Sequence, residues 1–205
     1  MKKINFERKF VLATGNFKKL LEIKRIFSEI PVEILSPKEV GFSMDDVAEN
    51  GKTFEDNAVI KAEAALKRSG LAAIADDSGL VVEALNGEPG IFSARYAGEG
   101  ASDGENMQKV LLNLNDNKNR NAKFVCVICC LFKDFDKIIV RGECKGKIGF
   151  CPKGAGGFGY DPIFVTSFRK TFAELSQEEK DLISHRGNAI RKLAQIFKKR
   201  GEKCL

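Results

Sequence analysis

The chain has 205 residues, of which 43% are hydrophobic and 30% are charged, a composition that forms a globular core and excludes a disordered or fibrous protein. No apolar run approaches the roughly 20 residues that cross a bilayer, and the charged start from Met1 to Lys9 does not resemble a signal peptide; we therefore expect a soluble, cytoplasmic protein with no membrane partner. The net charge of +6 is uneven: residues 1–100 carry 14 Lys and Arg against 16 Asp and Glu, and residues 101–205 carry 20 against 12. This asymmetry suits a ligand that carries both phosphate and metal, although a basic tail or nucleic-acid binding would also produce it.

The hydrophobic pattern predicts strands that alternate with helices, which indicates an α/β domain with a mixed sheet. Strands are predicted at residues 10–13, 32–35, 71–75, 80–85, 123–132, 137–147 and 163–165. Helices are predicted at residues 17–27, 53–69, 106–114, 176–183 and 186–200. Residues 86–104 are predicted to form a long glycine-rich loop, and such loops inside a domain usually have a function. No linker divides the chain, so residues 1–205 are predicted to form one domain.

Three of the six cysteines, Cys126, Cys129 and Cys130, lie in the apolar run 124–132. Their C-x-x-C spacing suggests a zinc or redox site, but residues three apart on a strand point to opposite faces of the sheet. We therefore expect buried, reduced thiols in this strand.

The first candidate site lies between the first strand and the first helix, from Thr14 to Lys19. A helix N-terminus offers backbone N–H groups and the positive end of the helix dipole to an anion, and a lysine adds a point charge. The Walker spacing is absent. The alternative is that Asn16 only caps the helix and that the lysines are solvated.

The second candidate site is Asp76-Asp77-Ser78-Gly79, which is predicted to interrupt an apolar strand. Burial of two adjacent carboxylates without partners is costly, and oxygen ligands favour Mg²⁺ or Mn²⁺ over zinc. Glu49, in the acidic loop 41–50, is a candidate third carboxylate. The alternative is a turn in which an aspartate caps the next element.

Two further candidate sites lie in the basic half of the chain. In the glycine-rich segment 154–161, Phe158 and Tyr160 are candidates to stack on a base, and Asp161 is a candidate to accept a hydrogen bond from that base. The alternative is that this segment is a hairpin whose aromatic residues lie in the core. Lys180 and Arg186 are candidate ligands for anions or base carbonyls. His185 is the single histidine, and a serine hydrolase centred on Ser78 would lack the G-x-S-x-G motif.

Six segments in order resemble the inosine/xanthosine triphosphate pyrophosphatase family, the HAM1-like nucleoside-triphosphate pyrophosphatases, over residues 10–197. These segments are Leu12–Asn16 with Lys19, Glu49–Ala58, Ala75–Leu80, Pro89–Gly98, Gly156–Pro162 and Ser184–Gly187. The resemblance implies hydrolysis of the non-standard purine nucleotides dITP, ITP and XTP to a monophosphate and pyrophosphate, which removes them from the nucleotide pool. It also implies that the cofactor is Mg²⁺, with Mn²⁺ as the alternative, and that the protein is a homodimer. The implied fold is an elongated mixed β-sheet flanked by helices, with two lobes and a central substrate cleft.

The resemblance also implies roles for individual residues. Asp77 is similar to the proton acceptor of the family, and Glu49, Asp77 and Asp76 are similar to its metal carboxylates. The implied substrate contacts are Thr14, Gly15, Asn16, Phe17, Lys18, Lys19, Ser78, Phe158, Gly159, Tyr160, Asp161, Lys180, His185 and Arg186. Two positions depart from the pattern: Lys18 stands where many relatives have glycine, and Ala48 stands where some have a second acid.

Selection of the base is a problem of hydrogen-bond donors and acceptors. A donor such as Arg186 or His185, aimed at the 6-oxo group of hypoxanthine or xanthine, would lose its acceptor opposite the amino group of adenine. A basic nucleic-acid-binding module is the alternative function, although it leaves the paired aspartates unexplained. With the pyrophosphatase interpretation, no nucleic-acid partner is expected.

Overall fold

The sheet of this protein mixes parallel and antiparallel strands. The computed structural model describes residues 8–28, 30 and 32–202, and within them six strands form one sheet in the order β2-β1-β3-β4-β5-β6. The strands are β1 (Lys9–Leu12), β2 (Glu33–Leu35), β3 (Ala72–Val82), β4 (Asn121–Leu131), β5 (Lys137–Ile148) and β6 (Phe164–Val165). β1 runs parallel to both β2 and β3, whereas β5 and β6 are antiparallel. The short connection from β4 to β5 makes these neighbours a hairpin, as predicted.

Several helices begin at clear sequence signals. The helices are α1 (Phe17–Phe27), α2 (Phe54–Ser69), α3 (Asp103–Leu114), α4 (Gln177–Ile183) and α5 (His185–Glu202). Three of them start with a capping box, in which a Ser or Thr side chain accepts from a backbone N–H and an acidic side chain accepts from the cap residue in return. These boxes pair Thr53 with Asp56, Ser102 with Glu105, and Ser176 with Glu179. No helix within the described ranges is long and apolar enough to cross a membrane.

The chain divides into two compact units. Unit 1 contains the described residues up to Asp77, together with Val127–Gly142 and the residues from Arg186 onwards. Its core includes Phe10, which packs edge-on against Phe132 at 5.9 Å between ring centroids and stacks on Phe197 at 5.8 Å. Aromatic packing of this kind adds about 0.5–1.5 kcal/mol per pair beyond the burial of area.

Unit 2 contains Ser78–Cys126 and Glu143–His185. Its core is also aromatic: the ring of Phe124 lies 4.7 Å from Phe164 and 5.6 Å from Phe172. Leu80 and Val110 are fully buried in the same cluster. Each unit therefore has its own hydrophobic core.

The fold expected from the sequence is confirmed in class and in most elements. The mixed α/β sheet flanked by helices is present, and α1 has the predicted bounds. Cys126, Cys129 and Cys130 are reduced and buried in β4, as expected for structural thiols. The central cleft stays a prediction.

Three local predictions are wrong. The strand predicted at residues 80–85 ends at Val82, and Glu83–Leu85 forms a 3₁₀ helix. Residues 76–79 do not interrupt a strand but lie inside the continuous β3 (Ala72–Val82), since cationic and amide side chains compensate the two carboxylates and the backbone can continue as a strand. Helix α3 begins at Asp103 rather than at residue 106, because Ser102 and Glu105 form its capping box. The long loop 86–104 therefore ends earlier, and it contains a 3₁₀ segment, Gly90–Arg95.

Candidate active site

Asn16 caps helix α1, as the alternative interpretation of this segment held. Its Oδ1 accepts from the backbone N–H groups of Lys18 at 3.0 Å and Lys19 at 3.2 Å, and its own N–H donates to Thr14 Oγ1 at 3.1 Å. The two lysines differ, however. Lys18 is exposed to solvent, whereas Lys19 places its Nζ 3.2 Å from Asp76 Oδ2. The charge of Lys19 is therefore held beside the sheet rather than solvated.

A cavity of about 410 Å³ opens at the same helix terminus. It is lined by the segment Thr14–Phe17 on one side and by Ser43, Met44 and Asp45 on another. A Cβ atom on Gly15 would come within 2.9 Å of Asp45 Oδ1, so the absence of a side chain lets the two loops approach. The volume is within the range of small-molecule sites.

Asp76 and Asp77 are neighbours in β3, and successive side chains of a strand point to opposite faces of the sheet. Asp76 meets Lys19 and Arg186, each at 3.2 Å from its Oδ2. Asp77 instead meets helix α2: Lys61 Nζ lies 2.7 Å from its Oδ1, and Asn57 Nδ2 donates to its Oδ2 at 3.3 Å. The two aspartates therefore belong to different sets of contacts.

Lys61 joins Asp77 to the acidic loop, because its Nζ also lies 3.1 Å from Glu49 Oε2. Burial alone would lower the pKa of Lys61, but the carboxylates of Asp77, Asp76 and Glu49 raise it above its ordinary value, so the ammonium stays charged. Burial raises the pKa of Asp77, although the charges of Lys61 and Lys19 oppose the shift. A carboxyl group whose pKa is raised in this way is suited to accept a proton.

Arg186 lies in unit 1 and is almost completely buried. Its guanidinium donates to Glu22 Oε2 on helix α1 and to Asp76 Oδ2 on strand β3. It thereby ties three elements together. The expected role of Arg186 at the 6-oxo group of the base stays a prediction.

The charge balance of this cluster is compatible with a bound cation. Four carboxylates face three cationic side chains, which leaves one negative charge in excess; the seven residues are Glu22, Glu49, Asp76, Asp77, Lys19, Lys61 and Arg186. Carboxylate oxygens are the donors that Mg²⁺ prefers, and this ion commonly combines one or two carboxylates with phosphate oxygens of a substrate. The donor set therefore fits a divalent cation.

The three predicted metal carboxylates do not form a preassembled ligand set. Within the described part of the chain, no group of three or more His, Cys, Asp and Glu side chains is arranged to hold a metal ion. The physical reason is that the Lys61 ammonium contacts both Glu49 and Asp77, while Asp76 contacts Lys19 and Arg186. Glu49 and Asp77 thus share one cation, Lys61, and the metal roles of Glu49, Asp77 and Asp76 stay predictions.

In unit 2, the glycine-rich loop gathers Phe158, Asp161 and Lys180. Lys180 Nζ lies 2.8 Å from Asp161 Oδ2, which also accepts from the backbone N–H of Phe158 at 2.8 Å. The same ammonium lies 5.0 Å from the ring centroid of Phe158, a cation–π distance. Gly157 has a φ of +74°, and a Cβ there would lie 2.0 Å from Asp161 Oδ2, so the loop requires glycine at this position.

Tyr160 and His185 are both buried in unit 2, and their expected roles at the base stay predictions. The hydroxyl of Tyr160 donates to the backbone carbonyl of Ser93 at 2.7 Å, and this contact anchors the loop. His185 stacks on Phe124 at 4.6 Å between ring centroids. Ser78 lies within a strand and not at a strand-to-helix turn, which disfavours a serine hydrolase. The backbone N–H of Gly159 donates to Asp103 at 2.9 Å.

The family profile of the Ham1 family matches residues 10–196. The chain belongs to the Ham1 family. The dITP/XTP pyrophosphatase of Coxiella burnetii is 45% identical over 192 residues, covering 91% of this chain and 95% of that protein. The dITP/XTP pyrophosphatase of Shigella flexneri is 48% identical over 196 residues, covering 93% and 98%.

Solved structures of Ham1 proteins have the same fold. The Ham1 protein of Staphylococcus aureus is 45% identical and superposes with a TM-score of 0.82, covering 93% of this chain and 98% of that chain. A HAM1 protein from Coxiella burnetii is 42% identical with a TM-score of 0.85 and the same coverage. The family interpretation of the sequence is therefore confirmed.

The contacts of Asp77 and Arg186 include residues to which the sequence assigned no role. Asn57 and Lys61 both contact Asp77, and Glu22 contacts Arg186. A signal for two of them was available, because Asn57 and Lys61 occupy the buried, otherwise largely apolar face of α2 that contains Ala58 and Ala62. Polar side chains at helical spacing within an apolar stripe indicate partners in the interior.

Proposed function

We propose that this protein is a nucleoside-triphosphate pyrophosphatase that hydrolyses dITP, ITP and XTP to the nucleoside monophosphate and pyrophosphate. The single observation that carries the proposal is the buried Asp77 carboxylate, which lies 2.7 Å from the Lys61 ammonium beside Glu49. The dITP/XTP pyrophosphatase relatives support the same reaction, since they match this chain almost end to end.

In this proposal the triphosphate binds to unit 1. The cavity at the start of α1 receives the phosphates, where backbone N–H groups, the helix dipole and Lys19 offset their charge. Glu49 and Asp77 hold the divalent ion, Mg²⁺ or Mn²⁺. When bound, this ion supplies charge neutralisation at the scissile anhydride.

Asp77 acts as proton acceptor for the attacking water. Burial raises the pKa of its carboxyl, which makes it a stronger base than an exposed aspartate, while Lys61 and Asn57 hold its two oxygens. Lys61 keeps its own proton, because three carboxylates raise its pKa. The ammonium therefore serves as a fixed positive charge and not as a base.

In this proposal the nucleobase binds at the glycine-rich segment 154–161 of unit 2. We propose that Phe158 packs on the purine and that Lys180, like Arg186 and His185, is a candidate donor to its 6-oxo group. Lys180 is buried, with its ammonium beside Phe158 and paired with Asp161. Opposite adenine, a donor aimed at the 6-position would face an amino group, which is also a donor, instead of a carbonyl oxygen.

A nucleotide panel assayed for both pyrophosphate and orthophosphate tests the proposal. We expect pyrophosphate from dITP, ITP and XTP, with ATP slower by at least about 100-fold. Asp77→Asn should lower kcat by about 100- to 10,000-fold, the usual contribution of a general base, while the exposed carboxylate change Asp134→Asn should have no effect. Equal rates with ATP, orthophosphate as the leaving product, or an active Asp77→Asn variant would contradict the proposal.

Metal dependence, oligomeric state and location complete the proposal. Activity should disappear with a chelator and return with Mg²⁺ or Mn²⁺. We propose a homodimer, which light scattering would detect as about twice the 22.6 kDa of one chain. A cytoplasmic location agrees with the nucleotide substrate and with the reduced thiols of β4.

A further inference from the structure

Asn57 is a completely buried amide beside the proposed reaction centre. It lies on the inner face of α2, one helical turn before Lys61. A buried amide without hydrogen-bond partners destabilises the fold, so an amide in the apolar stripe of a helix indicates a compensating contact. Both ends of the Asn57 amide have such a contact.

The two contacts run in opposite directions. Asn57 Oδ1 accepts from the backbone N–H of Gly51 at 2.9 Å, and Nδ2 donates to Asp77 Oδ2 at 3.3 Å. Since a backbone N–H can only donate and a carboxylate can only accept, only one orientation of the amide satisfies both neighbours. A carboxylate or an aliphatic group of the same size cannot replace it.

The acidic loop is packed closely against this amide. A Cβ atom on Gly51 would lie 2.7 Å from Asn57 Oδ1 and 2.5 Å from Asp56 Cβ, so only glycine lets the backbone approach. Gly51 lies two residues after Glu49, whose Oε2 is 3.1 Å from Lys61 Nζ. The contact therefore restrains the segment that carries Glu49.

We propose that Asn57 is a positioning residue that connects the acidic loop to Asp77 and so fixes the spacing between the carboxylates of Glu49 and Asp77. The inference rests on the proposed function, in which these carboxylates hold the divalent ion. Lys61 fixes Asp77 through Oδ1, and Asn57 fixes it through Oδ2, so the carboxylate plane cannot rotate. Asn57 itself takes no part in the chemistry.

Two substitutions separate the two contacts. Asn57→Asp keeps an oxygen for the Gly51 N–H but replaces the donor to Asp77 with a second carboxylate oxygen. Asn57→Leu removes both contacts without adding charge. The matched control is Asn106→Asp in unit 2, where the parent asparagine is also buried, accepts from the backbone N–H of Ala97 at 2.7 Å and donates to a backbone carbonyl.

We expect kcat with dITP and Mg²⁺ to fall about 10- to 100-fold in both Asn57 variants, the usual cost of removing a partner that orients a metal ligand. KM should change by less than about threefold, because Asn57 contacts none of the proposed phosphate ligands. Hydrogen–deuterium exchange of the Gly51 amide, followed without nucleotide or metal, should become faster in Asn57→Leu and stay at the parental rate in Asn57→Asp. Asn106→Asp should retain the parental kcat.

Circular dichroism and thermal melting measure the folded fraction of each variant. A folded Asn57→Asp variant that keeps the parental kcat would overturn the inference. A loss of activity that is fully explained by a smaller folded fraction would overturn it as well. Unchanged exchange at Gly51 in Asn57→Leu overturns it too. If the parent protein releases no pyrophosphate from dITP, the proposed function fails, and this result is read from the parent alone.

Discussion

Replacement of Lys61 by methionine would remove a cationic group that contacts both Asp77 and Glu49. The attraction between charges 2.7 Å apart is about 6 kcal/mol at an effective dielectric constant of about 20. Desolvation of the ammonium offsets several kcal/mol of this attraction, and Glu49 contributes less because a third of its side chain is exposed to water. We therefore expect the free energy of unfolding to fall by about 3 kcal/mol near neutral pH, chiefly because the Asp77 charge stays buried.

The loss of unfolding free energy in Lys61→Met should depend on pH in a defined direction. An unfolded aspartate titrates near pH 3.9, and burial raises the folded pKa of Asp77 above that value. The stability that the protonated form contributes is therefore fully present below the unfolded pKa and is lost as the pH rises through the folded pKa. Without Lys61 the folded pKa rises further, so the difference between parent and variant should be largest at neutral pH and shrink on acidification.

Urea denaturation of the parent and Lys61→Met at about pH 7.5 and about pH 5, with a chelator present, measures both effects. Lys67→Met is the matched control, because Lys67 lies on the exposed face of the same helix. A difference below about 1 kcal/mol at the higher pH, or one that widens on acidification, would refute this account of the cluster.

Three further predictions concern other parts of the molecule. Arg186→Met should lower the free energy of unfolding by about 3–5 kcal/mol in chemical denaturation, because two buried carboxylates each lose a cationic partner. A loss under about 1 kcal/mol would contradict the structure. Gly157→Ala should raise KM for dITP at least about tenfold in steady-state kinetics, since the new Cβ displaces Asp161; an unchanged KM would remove this loop from the substrate site. Cys144, whose thiol pKa burial raises to about 11, should react with iodoacetamide much more slowly than exposed Cys151, and equal labelling by mass spectrometry would show that the core opens there.

Local signals determined much of the fold in advance. The apolar periodicity of residues 17–27 gave the bounds of α1, and Thr53 with Asp56 marked the start of α2. Such signals can be read from the chain because a capping box or an amphipathic stripe involves residues only a few positions apart. Six ordered motifs also indicated the family, and the match over residues 10–196 confirmed it.

The order of residues by itself placed Asp76 and Asp77 in a functional segment, and the tertiary structure decided what surrounds each of them. It put them in one continuous strand, so their side chains separate to opposite faces, one toward Lys19 and Arg186 and the other toward Lys61. Arg186 lies 110 positions from Asp76 along the chain, and no periodicity or spacing rule extends across such a distance. Which charges compensate one another in the interior is therefore set by the packing of helices against the sheet, and this packing exists only in the folded chain.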